Sequence, residues 1–279
     1  MSIKRACSLV SLTRSMWYYQ TLKDDSELID KLNELAELLP TRGLDEYVGR
    51  LRAQGYPWNR KRIYRVYKMM RLEKRRKRKR RLPTRNPEPL SVPSCPNQCW
   101  SMDFMSDSLE NGRRIRVLNI IDDFNREALW VDGQYSYPSE FVISALQNLE
   151  VERGLPVKIR VDNGPEFISH KLREYCEEKG VRLEHIKPGT PTQNAYIERF
   201  NRHFREDVLD AYIFSSISQV NIICDKWKQD YNDNHPHRSL GYRSPRVFEE
   251  LYRKEIIYSE TVKAKMNDSL QSSALTVST

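Results

Sequence analysis

No stretch of this sequence approaches the roughly 18 apolar residues that a membrane-spanning helix needs. The opening residues, MSIKRACSLV, have neither the apolar centre nor the cleavage site of a secretory leader. Neither a membrane protein nor a secreted one is expected. Cysteine is sparse: five residues, an odd number, scattered at 7, 95, 99, 176 and 224. That argues against a disulfide framework and suits a reducing compartment. Cys95 and Cys99 have no second pair at zinc spacing, and the HPH stretch at 235–237 has no cysteine pair near it. A Gly-rich phosphate loop, a Ser-His-Asp order and a reactive-cysteine setting are all missing, so ATP dependence is not implied.

What is present is charge. Charged residues make up 30% of the chain against 39% hydrophobic, and the net charge is +9. Lys74, Arg75, Arg76, Lys77, Arg78, Lys79, Arg80 and Arg81 form one unbroken run that carries nearly all of that excess. Such a block repels itself, and its usual partner is a polyanion. A solvated spacer or a nuclear-targeting signal has the same composition.

Three helices fit before the run. Leu28, Leu32, Leu35 and Leu39 recur at helical spacing over 25–39. A second helix, about 44–54, stops at Gly55. After the turn GYPW, Asn59 can cap a third, whose inward face is Ile63, Val66, Tyr67 and Met70. Its other faces carry Arg60, Lys61, Arg62, Arg65 and Lys68, which makes a helix-turn-helix candidate for DNA. A small helical bundle with a basic exterior is the plainer reading. These spans divide the chain into a helical unit at 1–72, a basic and proline-rich linker at 73–98, a core with C-terminal helices at 99–258, and a tail at 259–279 with the composition of a disordered segment.

From Cys99 the texture changes. CWSMDFM alternates, with Trp100, Met102 and Phe104 on one face and Ser101, Asp103 and Met105 on the other. RRIRVLNIIDD and EALWVDGQY read as the next two strands, 138–154 as a helix, VKIRVDNG as a short strand, 169–180 as a helix and VRLEHI as a fifth strand. Helices then fill about 194–212 and 218–232. Three consecutive strands followed by crossovers predict an α/β fold with a mixed sheet covered by helices.

Three carboxylates occupy positions that packing alone does not favour. Asp103 lies inside an apolar strand, Asp162 where a strand ends in DNG, and Glu198 one turn into the helix after a Pro/Gly/Thr loop. Each alone has an ordinary reading: an edge-strand charge, a turn former, a solvent-facing helix residue. Together they could form a metal site acting on phosphodiesters. At about 100° per residue, Arg202 and Arg205 share the face of Glu198, where they could meet phosphates or merely pair with it. Asp122 and Asp123 read as a strand-end turn, Glu166 as a surface residue, and His237 as a packing or DNA-contacting residue.

WSMDF, VDNGPEF and PTQNAYIERFNRHFRED, with fifty-eight and thirty-five residues between the acids, resemble the DDE motif of retroviral-integrase-like transposases. More closely they resemble the second-frame (OrfB-type) transposases of two-frame bacterial insertion sequences. RACSLVSLTRSMWYYQ is similar to the opening of that group, 27–72 to its helix-turn-helix and YNDNHPHRSLGYRSP to its C-terminal signature. The likeness covers about residues 3–250. Two departures stand out. His235 replaces an arginine usual in the C-terminal signature, and RGLDEYVGR replaces a Gly-Tyr-Arg-Arg stretch usual in the second N-terminal helix.

The resemblance implies a ribonuclease-H-like integrase core of five strands with flanking helices. It implies DNA strand cleavage and strand transfer at Asp103, Asp162 and Glu198, with two Mg²⁺ ions, or Mn²⁺ in their place. Lys187 and Asn194, which flank the loop before Glu198, join Arg202, Arg205, the third helix and the basic run as candidate DNA contacts. Implied partners are the element's ends, target DNA, other copies of this chain on DNA, and the product of an upstream (OrfA-type) frame, separate or fused. The implied location is the bacterial cytoplasm, at the nucleoid. A non-catalytic DNA-binding regulator and a nuclease of the same fold that cuts without joining are the competing readings.

Overall fold

The computed structural model describes residues 2–19, 24–73, 92–186 and 194–259. Lys187, the basic run at 74–81 and nearly all of the expected tail lie outside the described residues. The chain divides into two compact units, residues 1–44 with 58–74, and residues 45–57 with 75–279.

The first unit is helical: α1 (Ile3–Leu9), α2 (Arg14–Trp17), α3 (Ser26–Leu38) and α5 (Arg60–Met69). The heptad-like leucines of α3 are buried, as are Ile63, Val66 and Tyr67 of α5. Asn59 caps α5 as its sequence predicts, its Oδ1 accepting from the Arg62 amide at 2.8 Å.

In the second unit, β1 (Cys99–Ser108), β2 (Arg114–Asp122) and β3 (Ala128–Gln134) form an antiparallel meander. After α6 (Ser139–Arg153), β4 (Lys158–Val161) returns parallel to β1. After α7 (His170–Glu178), β5 (Arg182–His185) pairs parallel to β4. The sheet order is β3-β2-β1-β4-β5, a mixed sheet of the expected kind.

The alternation in β1 sorts the two cores. Trp100, Met102 and Phe104 pack on the side of α6 and α7. Met105 packs on the other side, with Ile197, Phe200 and Phe204 of α8 (Ala195–Phe204) and Val220 and Cys224 of α9 (Ile217–Asn234). Each such apolar side chain taken fully from water contributes about 1.5–3 kcal/mol, so a one-residue slip of β1 would forfeit several at once. The helix expected over 194–212 is not uniform. α8 ends in a π-turn at Arg205–Leu209. The wider turn brings Leu209, five residues after Phe204, to the buried side with Val208.

α4 (Leu44–Ala53) forms where expected, but its residues from 45 onward group with the sheet-containing unit. Polar side chains tie it there. Arg50 donates to both carboxylate oxygens of Asp230 on α9 at 2.9 and 2.6 Å, and its Nε donates to Glu46 at 2.9 Å. The other oxygen of Glu46 lies 2.9 Å from His235 Nδ1. Residues 245–259 add a final helix.

Candidate active site

Asp103 is held on both oxygens. Oδ1 accepts from the Phe104 amide at 2.8 Å, and Oδ2 accepts from Asn201 Nδ2 at 2.7 Å. Asn201 Oδ1 in turn accepts from Asn119 Nδ2 at 2.7 Å. Asn119 lies on β2 directly opposite Asp103. Two buried amides therefore fix the carboxylate and lock α8 to the sheet at that point.

Asp162 follows the last residue of β4. The parallel pairing of β1 with β4 runs as far as Ser101 and Arg160, two residues short of Asp103 and Asp162. Asp162 Oδ1 accepts from the Gly164 amide at 2.9 Å, and Asn163 Nδ2 donates to the Ile186 carbonyl at 3.0 Å, which pins the DNG turn. Glu198 lies in the first turn of α8, one turn before Asn201, and is exposed.

The three charges are felt together. Burial first, and then the negative charges of Asp162 and Glu198, push the Asp103 carboxyl up to about 6, against the lowering by the Phe104 amide and Asn201. The side chains nevertheless stand apart. Among the described residues no three His, Cys, Asp or Glu side chains are grouped closely enough to hold a metal ion. Carboxylates repel unless a cation lies between them. Their donor set, oxygen only, suits a hard divalent ion such as Mg²⁺ rather than zinc.

The other candidates scatter. Arg205 reaches β1, donating to the Ser106 carbonyl at 3.1 Å, and lies 3.7 Å from Asp210. Arg202 is exposed, whereas Asn194 is only 3% exposed. Arg60 and Lys61 are exposed on α5, but Arg62 and Arg65 both pair with Asp25 at the start of α3, at 2.8 and 2.5 Å.

Asp122 and Asp123 are structural. Asp122 accepts from the amides of Asn97 and Phe124, while Asp123 accepts from Ser101 Oγ at 2.7 Å and Arg160 at 2.9 Å. His237 packs edge-on against Tyr231 and His235. Burial pushes the thiols of Cys99 and Cys224 up to about 12 and that of Cys176 to about 11, so none supplies a thiolate nucleophile.

One expectation is overturned. Glu166 is not a surface residue; its side chain is 15% exposed and ion-paired with Arg116 of β2. The link spans fifty residues of chain, and no local spacing announces it. Asn119 and Asn201 were equally silent in the sequence. Helical spacing from Glu198 could have picked out Asn201, three residues on, had polar neighbours been weighed with the charged ones.

Two Integrase core domain families match, one over residues 93–191 and one over 179–245. The chain is 38% identical to the insertion element IS407 uncharacterized 31.7 kDa protein of Burkholderia multivorans, across 91% of this chain and 92% of that protein. It is 35% identical to the insertion element IS476 uncharacterized 39.2 kDa protein of Xanthomonas euvesicatoria, across 91% and 74%. It is 27% identical to the transposase InsD for insertion element IS2 of Escherichia coli, across 81% and 79%.

Proposed function

The chain belongs to the insertion-element transposases with an integrase core, and we propose that Asp103, Asp162 and Glu198 are the carboxylates at which it cuts and rejoins DNA. The observation that carries this reading is the Asn201 bond. It ties the helix bearing Glu198 to the Asp103 carboxylate, on which the charges of Asp162 and Glu198 both act.

These three side chains would hold Mg²⁺, or Mn²⁺ in its place, with two ions per site. When bound, the metal supplies neutralisation of the charge developing on the phosphate oxygens. No side chain need attack phosphorus: water is the nucleophile in cleavage and a DNA 3′-hydroxyl in joining. Asn201 keeps one Asp103 oxygen oriented, and the Gly164 amide does the same for Asp162. Arg202 and Arg205 extend the face of Glu198 towards flanking phosphates. Lys187, Asn194, the basic face of α5 and the run at 74–81 are the remaining DNA contacts in this reading. The partners are the element's ends, target DNA, further copies of this chain, and the product of an upstream frame.

Asp103→Asn, Asp162→Asn and Glu198→Gln keep shape and remove charge. Each should abolish cleavage and joining of a labelled DNA end and leave DNA affinity nearly unchanged, because affinity comes from basic residues. Substantial joining by any one variant removes that residue from the site. Full activity of the unaltered chain in a chelator would overturn the metal requirement.

A further inference from the structure

At the turn that follows Asp162 lies an ion pair that the proposed reaction does not use. β4 stops at Val161 while β1 continues to Ser108, and the turn after Asp162 carries Glu166 towards Arg116 on β2. The Arg116 guanidinium lies 4.3 Å over the ring of Phe104, the residue after Asp103. Phe104 stacks in turn on Phe167 at 4.9 Å.

Glu166 also converges on Asp162. A Cβ placed on Gly164 would lie 2.9 Å from Asp162 Oδ1 and 3.4 Å from Glu166 Oε2, so both oxygens close over the same glycine. A larger residue at 164 would push the two carboxylates aside.

This pair is poorly made for stability alone. Arginine and carboxylate close best as a fork, two N–H groups on two oxygens. Here Nη1 meets Oε1 only, and both Arg116 Nε and Glu166 Oε2 are buried without a hydrogen-bond partner. Unsatisfied buried polar atoms are costly, and native structures retain them chiefly where something else depends on them. The Arg116 side chain remains 32% exposed, so Glu166 and Phe104 hold it from one side while another remains open. A planar guanidinium fixed in this way, paired to the turn that follows Asp162, suits a tetrahedral anion with several oxygens.

We propose that Arg116 is a DNA-phosphate-binding residue at the rim of the sheet, on the face of Phe104, oriented by Phe104 and by Glu166 of the turn that follows Asp162. This rests on the reading of Asp103, Asp162 and Glu198 as the cutting site. Glu166 is a positioning residue that also balances the charge of Arg116 while no DNA is bound. An incoming phosphate takes over part of that pairing, so removing the negative charge of Glu166 should not weaken DNA binding.

The test uses the full chain and a labelled duplex without metal, so that binding is read apart from cleavage. Affinity is measured across a salt series, with thermal unfolding as a check on folding. Arg116→Ala should bind about tenfold more weakly at low salt, and the log–log salt slope should become shallower by about 0.9, the value of one phosphate contact. Arg116→Lys should keep the slope, and Glu166→Gln should bind as tightly as the unaltered chain or more tightly. If Arg116→Ala does not fold, the double variant Arg116→Gln with Glu166→Gln keeps two hydrogen-bonding amides and should show the same loss of slope.

An unchanged slope in folded Arg116→Ala, or in the Arg116→Gln with Glu166→Gln double variant, overturns the proposal. So do equal losses of affinity in Arg116→Ala and Glu166→Gln, which mark a fold-holding pair. The carboxylate variants test the cutting site by cleavage alone, so failure of either idea is visible without the other.

Discussion

His237 illustrates how much a single side chain can owe to its surroundings. Its imidazole is held well below the ordinary range, first by burial, then by the charges of His235, Arg126 and Arg199, against the opposing pull of Glu46. Its Nε2 is buried without a hydrogen-bond partner. The folded chain therefore refuses a proton that the unfolded chain accepts below about pH 6.5. For a depressed histidine the sign is fixed: stability is full above that value and falls as the pH drops through it. The urea midpoint of the unaltered chain should decline between about pH 7 and about pH 5, and His237→Phe, which keeps a ring against Tyr231, should flatten that decline. An identical pH dependence in the two proteins would mean that His237 takes up a proton as readily in the fold as in the unfolded chain.

At the scale of elements, α4 is the informative case. The two places where the sequence departs from the transposase pattern it resembles are in contact. Glu46, within RGLDEYVGR, pairs with His235 of the C-terminal signature. Beside them Gly49 faces Pro236, and a Cβ built on that glycine would lie 2.5 Å from the proline ring. Gly49→Ala should cost about 1–3 kcal/mol, the usual range for forcing volume into a packed site. Arg50→Ala should cost more, about 3 kcal/mol or above, because Glu46 and Asp230 would lose the cation they share in a largely buried setting. Denaturant unfolding measures both. A cost below about 0.5 kcal/mol for both variants, the range of ordinary surface substitutions, would mean that α4 is loosely attached.

At the scale of the whole molecule, the excess positive charge sits in one run of the sequence, Lys74 to Arg81. In the proposed function this charge would bind phosphates without reading bases. Replacing its eight basic residues by Gln should weaken binding to all DNA sequences alike and flatten the salt dependence. Full engagement of all eight would correspond to about a 10³–10⁵-fold affinity loss between 50 and 200 mM salt. Gel shifts on unrelated duplexes would check this, and an unchanged slope would leave the run a spacer.

The sequence alone marked out α3 to α9, the five strands, their order and three candidate carboxylates, though not α1, α2 or the helix at 245–259. Apolar periodicity reports which face of a segment avoids water, and that local quantity was enough to predict β1 to β5, the covering helices and the two faces of β1. The acids were legible because Asp103 interrupts an apolar strand and because all three sit in motifs of fixed spacing. Only the tertiary structure decided what each polar side chain meets. Asn119 and Asn201 join across the sheet to hold Asp103, Arg116 reaches fifty residues to Glu166, and α4 sits with α9 through Arg50 and Asp230. A polar side chain carries no periodic signal of its partner, because that partner is chosen by chain crossings far away in sequence. Burial then makes the choice consequential, by removing the water that would otherwise have satisfied it.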